Sequence, residues 1–216
     1  MDDSQDKQGA VTANILVWGL TALGFLLPLY IWGDLIDWDL EDNFTALRIF
    51  PLLGLWAYFQ MWVHYIVGPV RRKWPEALNY SRYYRLTSHF VLISFLLHPA
   101  LLLYAGTQND FTTVEYVGNN LAFYIYLAYF GIATFLAYEV VERIRDKQII
   151  KDNWETVKVF NIAAMTAIFF HSINLGQHLQ SGWFRTLWIV MYVVFVLVVV
   201  EGYLHRYWSQ KHNPTD

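Results

Sequence analysis

Two histidines are placed where they could do chemistry. His98 stands thirteen residues after Arg85 in the stretch RLTSHFVLISFLLHPALLLY, and His171 stands thirteen residues after Lys158 in KVFNIAAMTAIFFHSINLGQH. Each stretch is apolar and long enough to cross a bilayer as a helix. An ionisable side chain at membrane depth is costly and marks a functional site by default. With both helices running the same way, each imidazole lies about 20 Å from the helix start at 1.5 Å per residue. Two neutral imidazoles at one depth suit axial ligation of a heme iron, giving a six-coordinate centre for electron transfer rather than oxygen binding. The plainer alternative is two unrelated histidines bonded to neighbouring helices. Matched depth, direction and offset favour the heme. Pro99, directly after His98, removes a backbone donor and can bend its helix.

The remaining histidines divide by position. His178 follows His171 by seven residues, so on a continuous helix it lies on nearly the same face, about two turns further out. That is too far to ligate the same iron. It reads either as a partner for heme propionates, with Arg185, Gln177 or Tyr104, or as an interfacial histidine. His89 precedes His98 by nine residues and points to the opposite helix face. His89 and His64 fall at similar depth on consecutive helices, which allows a second heme or a metal held by them. The alternative for both is bonding to backbone carbonyls or water. His205 and His212 sit in the polar tail and carry no signal.

Elements that could hold these residues follow from composition. The chain has 216 residues, 56% hydrophobic and 15% charged, with net charge −3 and no cysteine. Disulfides, thiolate metal sites, iron–sulfur clusters and cysteine nucleophiles are therefore excluded. Apolar runs at about 13–32, 49–69, 85–104, 120–140, 159–179 and 186–204 predict six membrane-spanning helices. Basic residues crowd alternate connections: Arg71, Arg72, Lys73, Arg82 and Arg85 in one, Arg143, Arg145, Lys147, Lys151 and Lys158 in the other. The loops GDLIDWDLEDN and GTQNDFTTVEYVGN carry neither Lys nor Arg. That alternation is the positive-inside pattern for a six-helix bundle with both termini cytoplasmic. The expected organisation is a cytoplasmic tail at 1–12, a membrane domain at 13–204 and a second cytoplasmic tail at 205–216, in a cell (inner) membrane. Glu139, Glu142 and Glu201 read as boundary charges at helix ends. No phosphate-binding glycine loop, dinucleotide fingerprint or Ser-His-Asp arrangement is present. No internal repeat is evident, and nucleic acid is not an expected partner.

Several ordered pieces carry a family resemblance. They are Gly54-Leu-Trp-Ala-Tyr in the second span, Gly68-Pro-Val-Arg-Arg at its end, Arg85 with His98, and Trp154-x3-Lys158 with His171. In this set the chain resembles the ferric-reductase-like transmembrane domain, and within it the heme-binding membrane subunits of bacterial periplasmic methionine sulfoxide reductase systems. The resemblance implies a b-type heme held by His98 and His171. Two-heme relatives add an earlier histidine on each helix; here those positions are Tyr84 or Arg85 and Lys158, a departure from the pattern. Single-heme relatives place a flavin near that inner site. Arg82, Arg85 and Lys158 would suit the phosphate of flavin mononucleotide or a heme propionate; the alternative is cytoplasmic anchoring.

The expected function is transmembrane electron transfer by the membrane subunit of an oxidoreductase system. A cytoplasmic-side flavin, quinone or soluble reductase supplies electrons, and an outer-face partner protein or ferric iron accepts them. The alternatives are a heme-free structural or assembly subunit and a histidine-based proton-linked transporter. The absence of buried carboxylates counts against the transporter.

Overall fold

The computed structural model describes residues 3–39 and 45–212. Part of the acidic first loop, residues 40–44, and the last four residues of the tail lie outside the described residues. Six long helices account for most of the chain: α1 (Asp3–Leu35), α2 (Ala46–Lys73), α3 (Tyr80–Asn109), α4 (Ala122–Arg143), α5 (Trp154–Leu175) and α6 (Gly182–His212). Among the described residues there is no strand, and all six helices are long and apolar enough to cross a membrane. The chain is an all-α, multi-pass membrane protein. Only helices that satisfy their own backbone groups can span lipid in this way.

Most helices run past the apolar stretches that predict them. α1 begins at Asp3 and α6 continues to His212, so the segments expected as tails extend the helices. Pro28, Pro51, Pro69 and Pro99 all lie inside helices. One boundary falls short instead. α5 ends at Leu175, where Gly176 turns to extended backbone and its N–H bonds the Ser172 carbonyl at 2.7 Å. A Cβ at Gly176 would stand 2.6 Å from that carbonyl oxygen, so only glycine fits this exit. His178 therefore sits in a separate 3-10 turn, Gln177–Leu179, and not on the face of α5 that carries His171. The expectation of a continuous helix through His178 is corrected.

The chain divides into two compact units, residues 1–98 with 186–216, and residues 99–185. In the first, α2 is the central element. From Ala57 to Val63 every side chain is buried, so this segment has no lipid-facing stripe. Tyr58 stacks on Trp188 with ring centroids 4.6 Å apart, and Trp62 donates its indole N–H to the Met191 carbonyl at 2.6 Å. On the α1 side, Trp56 donates to the Phe25 carbonyl at 2.8 Å and Gln60 to the Thr21 carbonyl at 2.9 Å. An ion pair of Arg72 with Glu201 ties the last turn of α2 to α6.

The second unit is built on α4 against α5. Gly131 faces Ile168, and an added Cβ there would come 2.5 Å from Ile168 Cγ1. Small residues at such a crossing let helix backbones approach in lipid, where close packing replaces the hydrophobic drive. The loop entering α4 is held by a capping box: Thr112 Oγ1 accepts from the Glu115 N–H, and the Glu115 carboxylate accepts from the Thr112 N–H. Hydrogen bonds to the carboxyl from the Thr112 backbone N–H and side chain hold Glu115 below its ordinary range.

Candidate functional site

Each deep histidine is oriented by a backbone carbonyl near the start of the preceding long helix. In the first unit, His98 Nδ1 lies 2.6 Å from the carbonyl oxygen of Phe50, the fifth residue of α2. In the second, His171 Nδ1 lies 3.0 Å from the carbonyl oxygen of Tyr124, the third residue of α4. The sequence separations, 48 and 47 residues, are nearly equal. A carbonyl can only accept, so in both rings Nδ1 carries the proton. In a neutral imidazole with Nδ1–H, the lone pair is on Nε2. Metal-ligating histidines are characteristically set this way, the second nitrogen donating to a carbonyl that fixes the tautomer and raises ligand basicity. The donor chemistry of both residues fits an axial heme ligand.

Packing around His98 adds a second fit. Its ring lies 5.2 Å from the Phe50 ring, at a 43° tilt. On the next turn of α2, Gly54 leaves space that the imidazole fills; a Cβ there would come 2.8 Å from both Cε1 and Nδ1. Neither Phe50 nor Tyr124 was a candidate from the sequence, because the functional atom is a backbone oxygen that every residue type carries. Gly54 was visible only as part of a motif.

His64 and His89 are not brought together. His64 Nε2 lies 2.7 Å from Thr87 Oγ1, while the Thr87 hydroxyl donates to the Tyr83 carbonyl at 2.9 Å. Thr87 must therefore accept from His64, which fixes the opposite tautomer to that of His98 and His171. His89 is exposed and donates Nδ1–H to the Arg85 carbonyl of its own helix. Thr87 and His89 are two positions apart on α3, which places them on opposite faces. A heme or metal shared by His64 and His89 does not fit this arrangement. Among the described residues, no three His, Asp or Glu side chains gather to hold a metal ion; an axial imidazole pair requires no such cluster.

The expected anion-binding cations are placed as follows. Arg85 is exposed, and Arg82 is exposed with its backbone N–H on Asn79 Oδ1 at 3.0 Å. Lys158 pairs with Glu155 one turn earlier on α5. Tyr104 is exposed. Arg185 donates through Nη1 to the carbonyls of Ile173, at 2.9 Å, and Leu179, at 2.6 Å. It thus caps the C-terminal end of α5, where a cation meets the negative end of the helix dipole. His178 Nε2 is buried without a hydrogen-bond partner.

Burial of His178 pushes its imidazole down to about 4 from its ordinary 6.5. Between these values the unfolded chain binds the proton and the folded chain does not, so stability rises with pH across this window. The contribution is fully present above about pH 6.5 and is lost as pH falls through about 4, on the order of 2–3 kcal/mol. Thermal unfolding of detergent-solubilised wild type and His178→Gln over this range should show a steeper acid loss for the wild type. Parallel pH profiles would contradict the assignment.

No family model, no curated protein and no solved structure matches the chain.

Proposed function

We propose that this protein carries electrons across a membrane on a b-type heme whose axial ligands are His98 and His171. The observation that carries the reading is the repeated local device: each histidine, thirteen residues beyond a cation, donates Nδ1–H to a carbonyl of the preceding long helix. Ligated by two neutral imidazoles, heme iron supplies reversible one-electron chemistry without an open position for oxygen. The protein's part is to hold the two tautomers, orient the rings and surround them with apolar side chains.

In this reading the basic connections lie in the cytoplasm, following the positive-inside rule. Electrons come from a separate flavin, quinone or reductase on that side and leave to a partner protein or ferric iron on the other. Arg82 and Arg85 are exposed and accessible to an anionic donor group. Kinship with the ferric-reductase-like domain, and location in a bacterial inner membrane, belong to the same proposal.

The carbonyl bonds at His98 and His171 also favour a second reading, a heme-free structural subunit in which those bonds simply tie consecutive helices together. Vesicles separate the two. Proteoliposomes enclosing ferricyanide and given dithionite outside should consume the trapped oxidant far faster than empty vesicles. Consumption at the empty-vesicle rate would rule out electron carriage and leave the structural subunit.

A further inference from the structure

We infer that Gly54 is a positioning residue that sets the strength of the hydrogen bond behind His98, and through it the reduction potential of the site. The inference rests on the proposed heme ligation. In an α-helix each Cα–Cβ bond tilts toward the N-terminus, so the side chain at i+4 overhangs the carbonyl at i. Gly54 is four residues after Phe50, and its missing Cβ leaves the Phe50 carbonyl open to a second donor. The three atoms nearest to a Cβ built on Gly54 all belong to the His98 ring: Cε1 and Nδ1 at 2.8 Å and Nε2 at 3.4 Å. Such a Cβ must push the imidazole away from its acceptor.

The second unit supplies an internal comparison. Four residues after Tyr124 stands Ala128, which has a Cβ. There the imidazole stands off at 3.0 Å, against 2.6 Å where glycine occupies the position. The two ligands are thus unequal. His98, held closer to its carbonyl, is the more basic of the two and favours the oxidised iron more strongly. Glycine at 54 tunes the site toward lower potential, and alanine at 128 leaves the other ligand weaker.

The test is redox potentiometry of the purified, heme-loaded protein. Gly54→Ala lengthens the His98 bond and should shift the reduced-to-oxidised ratio at fixed ambient potential about tenfold toward reduced, a rise of about 59 mV for a one-electron couple. Ala128→Gly should shift it in the opposite direction. Gly68→Ala is the control, since it lies on the same helix and a Cβ there meets nothing within 4 Å; it should leave the potential unchanged. Helix propensity alone cannot produce this pattern, because both Gly→Ala changes favour the helix equally. Potentials equal to wild type in Gly54→Ala and Ala128→Gly, with heme retained, would overturn the inference and leave the ligation standing. Should Gly54→Ala not accumulate, Ala128→Gly decides alone, with an unchanged or raised potential overturning the proposal. A wild type without heme would instead overturn the ligation on which the proposal rests.

Discussion

Replacement of His171 by glycine is expected to abolish the low-spin b-type spectrum of a protein that still inserts in the membrane. The same holds for His98→Gly, because a six-coordinate iron needs both lone pairs. Glycine also leaves an imidazole-sized cavity beside an intact carbonyl, that of Tyr124 in one case and Phe50 in the other. Free imidazole at millimolar concentration should therefore enter, donate to that carbonyl and restore the spectrum. Rescue separates a ligand from a helix tie, since unattached imidazole cannot hold two helices together. Variants that keep the wild-type spectrum would contradict the ligation outright. Loss without rescue, in a protein of unchanged thermal stability, would count against the carbonyl-anchored geometry.

The second large effect is expected at Gly131. A Cβ at this position already stands 2.5 Å from Ile168 Cγ1 and 2.9 Å from Cδ1. Cγ1 lies close to a branched carbon with few rotamers, so the contact has no cheap escape. Leucine here should wedge α4 from α5 at a cost of about 1–3 kcal/mol. Tyr124 lies two turns before Gly131 on α4, and His171 one turn after Ile168 on α5, so the wedge also opens the bond between them. Gly131→Leu is expected to lower the thermal midpoint in detergent and weaken heme retention together. Adding Ile168→Ala makes room and should recover at least half of both losses. If the double variant is no better than Gly131→Leu, the close crossing of α4 and α5 is not what the leucine disturbs.

Much of the architecture is legible in the sequence, because lipid imposes one rule on every span. Six apolar stretches predict six helices, and six are found among the described residues. The ends are less legible. The apolar signal stops at the membrane boundary, while backbone hydrogen bonding does not, so α1 and α6 run on through polar residues. At α5 the error has the opposite sign: the span read to about residue 179, but Gly176 ends the helix after Leu175 and moves His178 off the expected face.

The candidate site was legible in its side chains and hidden in its backbone. Histidines at matched offsets from a cation stand out among apolar residues, whereas their acceptors at Phe50 and Tyr124 have no signature of residue type. Arg185 shows the limit from the other side. A cation beside a histidine suggests an anion, but its guanidinium donates to one carbonyl in the last turn of α5 and one in the 3-10 turn that follows, a role that only the turn geometry reveals. Neutral polar side chains also give little signal in the sequence. Gln60 is 0% exposed and donates to the Thr21 carbonyl, and Thr21 in turn shares a 2.9 Å hydrogen bond with the Tyr83 hydroxyl. These contacts tie α1, α2 and α3 within the first unit, and charge-based reading passes over them.

The most direct test of the central claim is the dithionite-reduced minus oxidised visible spectrum of the wild-type protein, purified in detergent from cells well supplied with heme. The account predicts sharp b-type bands, at a stoichiometry set by one pair of axial histidines per chain. A colourless protein, folded and in normal yield, would contradict it and leave His98 and His171 as ties between helices.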